Sequence, residues 1–186
     1  MSHQFAKRWF SVDEFYRMAQ AGILNEDDRV ELIEGEVIEM SPIGSRHAAC
    51  VKRLNTLLGR LVEQRMIVSV QDPIYIDEFS EPQPDIALLR PREDFYAGSH
   101  PTVSDVLLVV EVADSSIEYD RKKKLPLYAR AGIPEVWLAN LPEDRFEIHT
   151  QPLNDEYQSV AIVRRGESIE SHAIAGLSLN VDEILG

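Results

Sequence analysis

The sequence predicts an α/β or α+β fold in which helices cover a β-sheet. The chain has 186 residues, enough for one domain with a substantial core and short for two. Segments with strand periodicity alternate with segments of helical periodicity. One of them, residues 105–113, is apolar on both alternating faces, which is typical of a central strand covered on each side. We therefore expect one domain over residues 1–186, with its core at about residues 44–140.

The first elements are a helix and a hairpin. Ser11 and Glu14 have the spacing of a capping box, which predicts a helix that continues to about Ala21. Residues 29–40 alternate like two short strands, and the Glu34-Gly35 pair between them favours a tight turn. Both elements precede the predicted core.

The longest helical pattern covers residues 44–64. Its inward face is predicted to carry one histidine and four aliphatic residues, namely His47, Val51, Leu54, Leu58 and Leu61. A lone histidine in such a stripe is usually a packing or capping residue. His47 is nevertheless a candidate site residue, because the start of this helix is expected near the ends of the strands.

The rest of the chain alternates between strands and one further helix. A helix is predicted from Tyr119, and Pro126 within it should cause a kink or a late start, because proline lacks the amide hydrogen and clashes with the preceding turn. An amphipathic ending is predicted at 177–186. The predicted strands are 66–70, 73–76, 86–89, 105–113, 135–139, 145–149 and 157–163, the last two forming a hairpin.

Composition indicates a globular protein in a reducing compartment. Hydrophobic residues make up 44% of the chain and charged residues 27%, and no apolar run approaches the roughly 20 residues that span a bilayer. The first eight residues lack the apolar core of a signal peptide. Cys50 is the single cysteine and is expected to be a packing residue. We expect a cytoplasmic protein without a membrane segment.

The formal net charge of −13 opposes non-specific binding to nucleic acid, whose affinity depends on cations that meet phosphates. A nucleic-acid substrate would require a locally basic cleft or a partner that supplies positive surface. The cations available for such a cleft are Arg46, Lys52, Arg53, Arg60 and the run 121–124.

Three ionisable residues stand in apolar surroundings. Glu111 interrupts the buried strand 105–113, so its carboxylate must be paired, protonated or bound to a metal. Asp85 precedes the strand 86–89, and two carboxylates on neighbouring strands would form a hard-oxygen site. Lys124 shares a helix face with Asp120 and with apolar residues, whereas its neighbouring lysines point elsewhere.

The predicted hairpin adds two weaker candidates. Glu31 and Glu34 are two of its four glutamates, and either is a candidate to face a metal site. The favoured interpretation of both is a solvated hairpin face.

The motifs together resemble the Uma family of restriction-endonuclease-like proteins, within the PD-(D/E)XK nuclease superfamily. The resemblance rests on Pro84-Asp85, on Glu111-Val112 in a buried strand, and most specifically on the run from Asp120 to Trp137. The segment 31–36 and His47 also resemble the opening of that family.

The resemblance implies a restriction-endonuclease-like mixed central sheet flanked by helices, with the predicted N-terminal helix and hairpin added. It implies Mg²⁺ or Mn²⁺ held by Asp85, Glu111 and the carbonyl of Val112, and Lys124 in the role of the superfamily lysine. The standard superfamily pattern has that lysine where this chain has Ala113. The expected activity is metal-dependent phosphodiester hydrolysis in nucleic acid, with DNA as the expected substrate and a two-fold homodimer as the expected assembly.

Three alternatives stay open at the level of sequence. In the first, Glu111 and Lys124 form a buried ion pair that has only a structural role. In the second, the chain is a catalytically idle nuclease-fold module that binds nucleic acid or a protein partner. A different metal hydrolase is the least favoured, because the five histidines are scattered without zinc-ligand spacing.

Overall fold

The computed structural model describes residues 7–25, 27–62 and 65–186. The helices are α1 (Val12–Gln20), α2 (Ser45–Val62), α3 (Ile117–Tyr119), α4 (Leu125–Ala131) and α5 (Val181–Leu185), with a π-helical turn at Asp120–Lys124 between α3 and α4. The strands are β1 (Val30–Ile33), β2 (Glu36–Glu39), β3 (Ile67–Val70), β4 (Ile86–Leu89), β5 (Val106–Ala113), β6 (Glu135–Asn140), β7 (Arg145–Leu153), β8 (Glu156–Arg164), β9 (Ser168–Glu170) and β10 (Ser178–Asn180).

Six strands form the central sheet in the order β3-β4-β5-β6-β7-β8. β5 and β6 run parallel, as expected for strands joined by a helical crossover, and the other neighbours are antiparallel. The predicted mixed sheet flanked by helices is therefore confirmed. The sheet continues to Arg164, beyond the core predicted from sequence.

The two faces of the sheet pack against different helices. α2 and α5 cover one face, where Leu54, Leu58 and Ile184 meet the even-numbered side chains of β4 and β5. α4 covers the other face, where Leu125 and Tyr128 meet the odd-numbered side chains. All six residues from Leu108 to Ala113 are buried, so β5 is covered on both faces as its composition predicted.

The N-terminal helix and hairpin lie outside the central sheet. Ser11 and Glu14 form the predicted capping box of α1. β1 and β2 form a two-stranded ladder, Leu32 of β1 adds an isolated bridge to Glu81, and the turn at Glu34-Gly35 has positive φ at both residues. A Cβ on Gly35 would lie 2.7 Å from that of Trp9, so the turn admits only glycine there.

The helix changes type just before Pro126, where a π-helical turn precedes α4. The amide of Leu125 donates to the carbonyl of Asp120 five residues back, which is the hydrogen bond of a π-turn. The widened turn immediately precedes Pro126, which occupies the first turn of α4, where its missing amide hydrogen costs little.

Two predicted details of secondary structure are wrong. Residues 73–76 form only an isolated bridge, because the amides of Ile74, Tyr75 and Ile76 donate to carbonyls of loops rather than to a strand. Leu61 is 37% exposed. Val62 is buried instead, because the next inward-facing position of α2 after Leu58 is four residues on. The predicted end of the long helix, at residues 63 and 64, lies outside the described residues.

The C-terminal part adds a small sheet that the sequence pattern did not indicate. β9 and β10 pair with each other over three residues and precede α5. Within residues 7–25, 27–62 and 65–186, no helix combines the length and the apolar character that a bilayer-spanning segment needs.

A buried histidine on β7 predicts a pH dependence of stability. Burial lowers the pKa of His149, and Glu147, 3.7 Å from its Nε2, only partly offsets this effect. Tyr157 packs edge-on against the ring, and Arg121 adds an unfavourable charge. Since the unfolded chain takes up the proton more readily, this contribution to stability is present above pH ~6.5 and is lost as the pH falls.

We expect His149→Gln to flatten the decrease in the free energy of unfolding between neutral and mildly acidic pH, measured by urea denaturation. The exposed His172→Gln is the control and should follow the wild-type curve. An unchanged slope in His149→Gln would contradict a neutral buried imidazole.

Candidate active site

A cavity of about 430 Å³ opens where β4 begins and β5 ends. Because these strands are antiparallel neighbours, the residue before β4 and the last residues of β5 lie at the same end of the sheet. Side chains converge on this cavity from four places: this end of the sheet, the hairpin, α2 and the π-turn. Its ionisable and hydroxylic lining includes Arg29, Glu31, Glu39, His47, Asp85, Glu111, Asp114, Tyr119, Asp120 and Lys124.

Asp85 is fixed at the mouth of β4 by three hydrogen bonds. Its Oδ2 accepts from the amide of Val112 at 2.9 Å and contacts Nε2 of His47 at 3.0 Å, and its Oδ1 accepts from the amide of the Gln71 side chain at 3.1 Å. Burial opposes ionisation, but these hydrogen bonds and the His47 ring outweigh it and hold the pKa of Asp85 below its usual value. The carboxylate is therefore charged and oriented.

His47 is paired with that carboxylate. Its hydrogen bond to Asp85 raises the pKa of His47, although burial acts against this. The ring approaches from the first turn of α2, and its Nδ1 is buried without a hydrogen-bond partner in the described residues. His47 thus reaches the cavity, as one of its two interpretations from sequence predicted.

Glu111 is the most strongly perturbed carboxyl group. Its Oε1 accepts from the hydroxyl of Tyr128 at 2.7 Å and lies 3.3 Å from Nζ of Lys124. Burial raises the pKa of Glu111 to about 8; Lys124 lowers it, and the carboxylates of Asp120, Asp85 and Glu31 raise it further. Carboxylates from several elements therefore lie close together in this cavity.

Lys124 is a buried cation surrounded by carboxylates. Its Nζ lies 3.1 Å from Oε2 of Glu31 and 3.3 Å from Oε1 of Glu111, and all three side chains are at most 7% exposed. Burial would lower the pKa of Lys124, but Glu111, Glu31 and Asp120 together raise it above its usual value. The amine therefore stays protonated.

Glu31 and Asp120 complete the acidic wall. Glu31 enters from β1 and also accepts from the amide of Gln83 at 3.1 Å. Asp120 accepts from the hydroxyl of Ser116 at 2.8 Å, and burial raises its pKa despite the nearby Lys124. The solvated interpretation of Glu31 is wrong, because the hairpin packs against residues 79–83 and leaves this residue 1% exposed.

Glu34 and Cys50 lie away from the cavity. Glu34 sits at the hairpin turn and pairs with Arg130 and Lys123, all of them substantially exposed, as the solvated interpretation predicted. Cys50 lies on the buried face of α2, where burial raises the pKa of its thiol to about 12. Neither contributes to the cavity.

The expected basic cleft is only partly available. Arg121 pairs with Glu147, and Arg46 with Asp144. Lys122 and Lys123 pair with glutamates as well. Most of these cations are therefore neutralised within the chain, and the cavity itself is acidic.

Sequence reasoning missed three polar neighbours. Tyr128 donates to Glu111, and the available signal was a tyrosine four residues after a buried lysine, on the same helix face. Tyr119 lines the cavity, and its hydroxyl is buried without a partner among the described residues. Gln71 precedes no motif, and nothing in the sequence marked it.

The two tyrosines give a matched test of the network. Tyr128→Phe should lower the free energy of unfolding by about 1–3 kcal/mol, because Glu111 loses its hydroxyl donor in a buried site. Tyr119→Phe removes a hydroxyl that has no partner among the described residues, so it should not lower the free energy of unfolding. Urea denaturation of both variants compares them directly, and equal losses would contradict the specific role of the Tyr128 hydroxyl.

The cavity has hard-oxygen donors for a divalent cation but no preassembled cage. In the described part of the chain, no three His, Cys, Asp or Glu side chains are placed to hold one metal ion. The expected set uses only two carboxylates, Asp85 and Glu111, with Val112 beside them, and Mg²⁺ usually keeps several of its waters. The residues that line the cavity include more carboxylates than cations, which fits a divalent ion.

Comparisons with known proteins show the family and the fold of the chain. The model of the Uma2 family, described as "Putative restriction endonuclease", matches residues 12–182. Among solved structures, one described as a "putative nuclease belonging to DUF820" from Anabaena variabilis matches with a TM-score of 0.73 and 15% identity, over 95% of this chain and 97% of that one. No curated protein matches the chain. The chain therefore belongs to the Uma2 family and has the fold of that nuclease-like structure.

Proposed function

We propose that the chain is a metal-dependent endonuclease that hydrolyses phosphodiester bonds in nucleic acid, with DNA as its substrate. The observation that carries this proposal is the convergence of Asp85, Glu111 and Lys124 in one cavity from three separate elements. Membership of a family described as "Putative restriction endonuclease" supports the same class of reaction.

We assign Asp85 and Glu111 as the carboxylates that hold Mg²⁺ or Mn²⁺, with the Val112 carbonyl as third donor. A divalent cation bound there supplies an acidified water and positive charge for the phosphoryl oxygens. Asp85 is already ionised and held by the Val112 amide and His47. Burial raises the pKa of Glu111, and a divalent cation bound there would favour its ionised form.

Lys124 acts as a fixed positive charge rather than as a general base. A base would need a depressed pKa, whereas the carboxylates around Lys124 raise it. Its ammonium group is held by Glu31 and Glu111 and can stabilise negative charge that develops on the phosphate. His47 and Asp120 are positioning residues. His47 contacts the carboxylate of Asp85, and Asp120 lies near Lys124 in the same cavity.

A second candidate is a catalytically idle module that binds nucleic acid or a protein partner. It is favoured by the net charge of −13 and by the pairing of many surface cations within the chain. The paired Lys124 and Glu111 would then serve only to fix the π-turn on the sheet.

Calorimetric titration with Mn²⁺, beside a cleavage assay on supercoiled plasmid, distinguishes the two. We expect wild type to bind Mn²⁺ and to nick plasmid only with Mg²⁺ or Mn²⁺ present, and Asp85→Ala to lose both. Absence of binding at millimolar metal would overturn the metal site and favour the binding module. Metal binding without nicking would retain the site and overturn the activity on DNA.

A further inference from the structure

β8 is an exposed edge strand of unusual composition. It ends the central sheet, so one of its two edges pairs with no strand in the described part of the chain. Residues 157–163 contain no charge, no proline and no glycine. Natural sheet edges are normally protected by such residues or by being short, whereas β8 has nine residues.

The side chains of β8 are exposed as well as its edge. Val160 is 50% and Ile162 is 38% exposed, whereas five consecutive residues of the neighbouring β7 are buried. The amide of Arg164 donates to the side chain of Glu167 and not to β7. Because orientation alternates along a strand, the amides of Ile162 and Val160 also point to the free edge.

The two charges of β8 stand at its two ends and have opposite signs. Glu156 and Arg164 each lie four residues from Val160, and both are exposed. Neither side chain makes an ion pair within residues 7–25, 27–62 and 65–186. If β8 paired antiparallel with an identical strand centred on Val160, Glu156 of each copy would lie opposite Arg164 of the other.

We propose that β8 pairs antiparallel with β8 of a second copy of this chain, forming a two-fold dimer with one continuous twelve-stranded sheet. The self-complementary ends of β8 fix the register at Val160. The contact is isologous and uses one edge of each copy, so assembly closes at two subunits. The proposal does not depend on the nuclease activity.

Charge reversal tests both the contact and its register. Wild type should have twice the monomer mass of 21.1 kDa by light scattering with size exclusion. Glu156→Arg and Arg164→Glu should each weaken the dimer about tenfold or more, because each places like charges at both ends of the pairing. Arg60→Glu makes the same change on an exposed position of α2 and should leave the dimer intact.

Recombination of the variants is the decisive step. Copies of Glu156→Arg carry cations at both ends of β8, and copies of Arg164→Glu carry anions at both ends. An equimolar mixture should therefore form a dimer, as should the double variant Glu156→Arg/Arg164→Glu. A monomeric wild type, single variants that stay dimeric, larger open assemblies, or a mixture that stays monomeric would each overturn the proposal.

Discussion

Replacement of Lys124 by methionine is expected to lower the free energy of unfolding by about 3–5 kcal/mol, since it leaves buried carboxylates without their cation. Methionine keeps the length of the buried stem but supplies no charge. Glu31 loses a partner at 3.1 Å and Glu111 one at 3.3 Å, in a site where both side chains are almost fully inaccessible. Urea denaturation at neutral pH measures the loss.

The adjacent lysine provides the control for this substitution. Lys123 is 47% exposed and lies 3.7 Å from Glu34, so Lys123→Met should change stability by less than about 0.5 kcal/mol. The double variant Lys124→Met/Glu31→Gln should recover part of the loss, because it removes one unpaired carboxylate. Equal effects of the two single lysine variants would contradict the buried network.

Replacement of Asp85 by asparagine is expected to reduce metal-dependent cleavage about 10³-fold while the fold is kept. Asparagine has nearly the same shape and its oxygen can still accept from the Val112 amide. It cannot supply the negative charge that a hard divalent cation requires. Plasmid nicking under single-turnover conditions gives the rate, and far-UV circular dichroism checks the fold.

A second readout separates this role from a structural one. Mn²⁺ should raise the melting temperature of wild type but not of Asp85→Asn, because a ligand stabilises only the state that binds it. Asp155→Asn, an exposed position in the β7–β8 turn, should retain both the cleavage rate and the stabilisation. Retained cleavage in Asp85→Asn would contradict its assignment as a metal ligand.

The sequence was sufficient to predict the secondary-structure elements that have a strong periodicity or a clear local signal. The apolar run of β5, the capping box of α1 and the turn at Glu34-Gly35 depend on local chemistry and were predicted with their positions. Residues 73–76 look like a strand by composition, but loops rather than a strand take their hydrogen bonds. β9 and β10 pair over too few residues to leave a pattern.

The candidate site was predictable only where a charge interrupts an apolar pattern. Glu111 and Lys124 stand out in that way, and the structure places them 3.3 Å apart. Glu31 does not stand out, since the alternating hairpin of which it is part has four glutamates. Its burial comes from the docking of the hairpin on residues 79–83, which is a tertiary contact between segments some 50 residues apart. The roles of Glu31, Glu111 and Lys124 as site residues remain predictions.

The separate hairpin has a consequence for the cooperativity of unfolding. β1 and β2 share no ladder with the central sheet, yet Glu31 of β1 forms an ion pair with Lys124 of the π-turn. Opening the hairpin therefore breaks a buried ion pair, and opening the π-turn does the same. In native-state hydrogen exchange, the amides of the hairpin and those of residues 120–131 should accordingly behave as one cooperative unit, although nearly ninety residues of chain separate them.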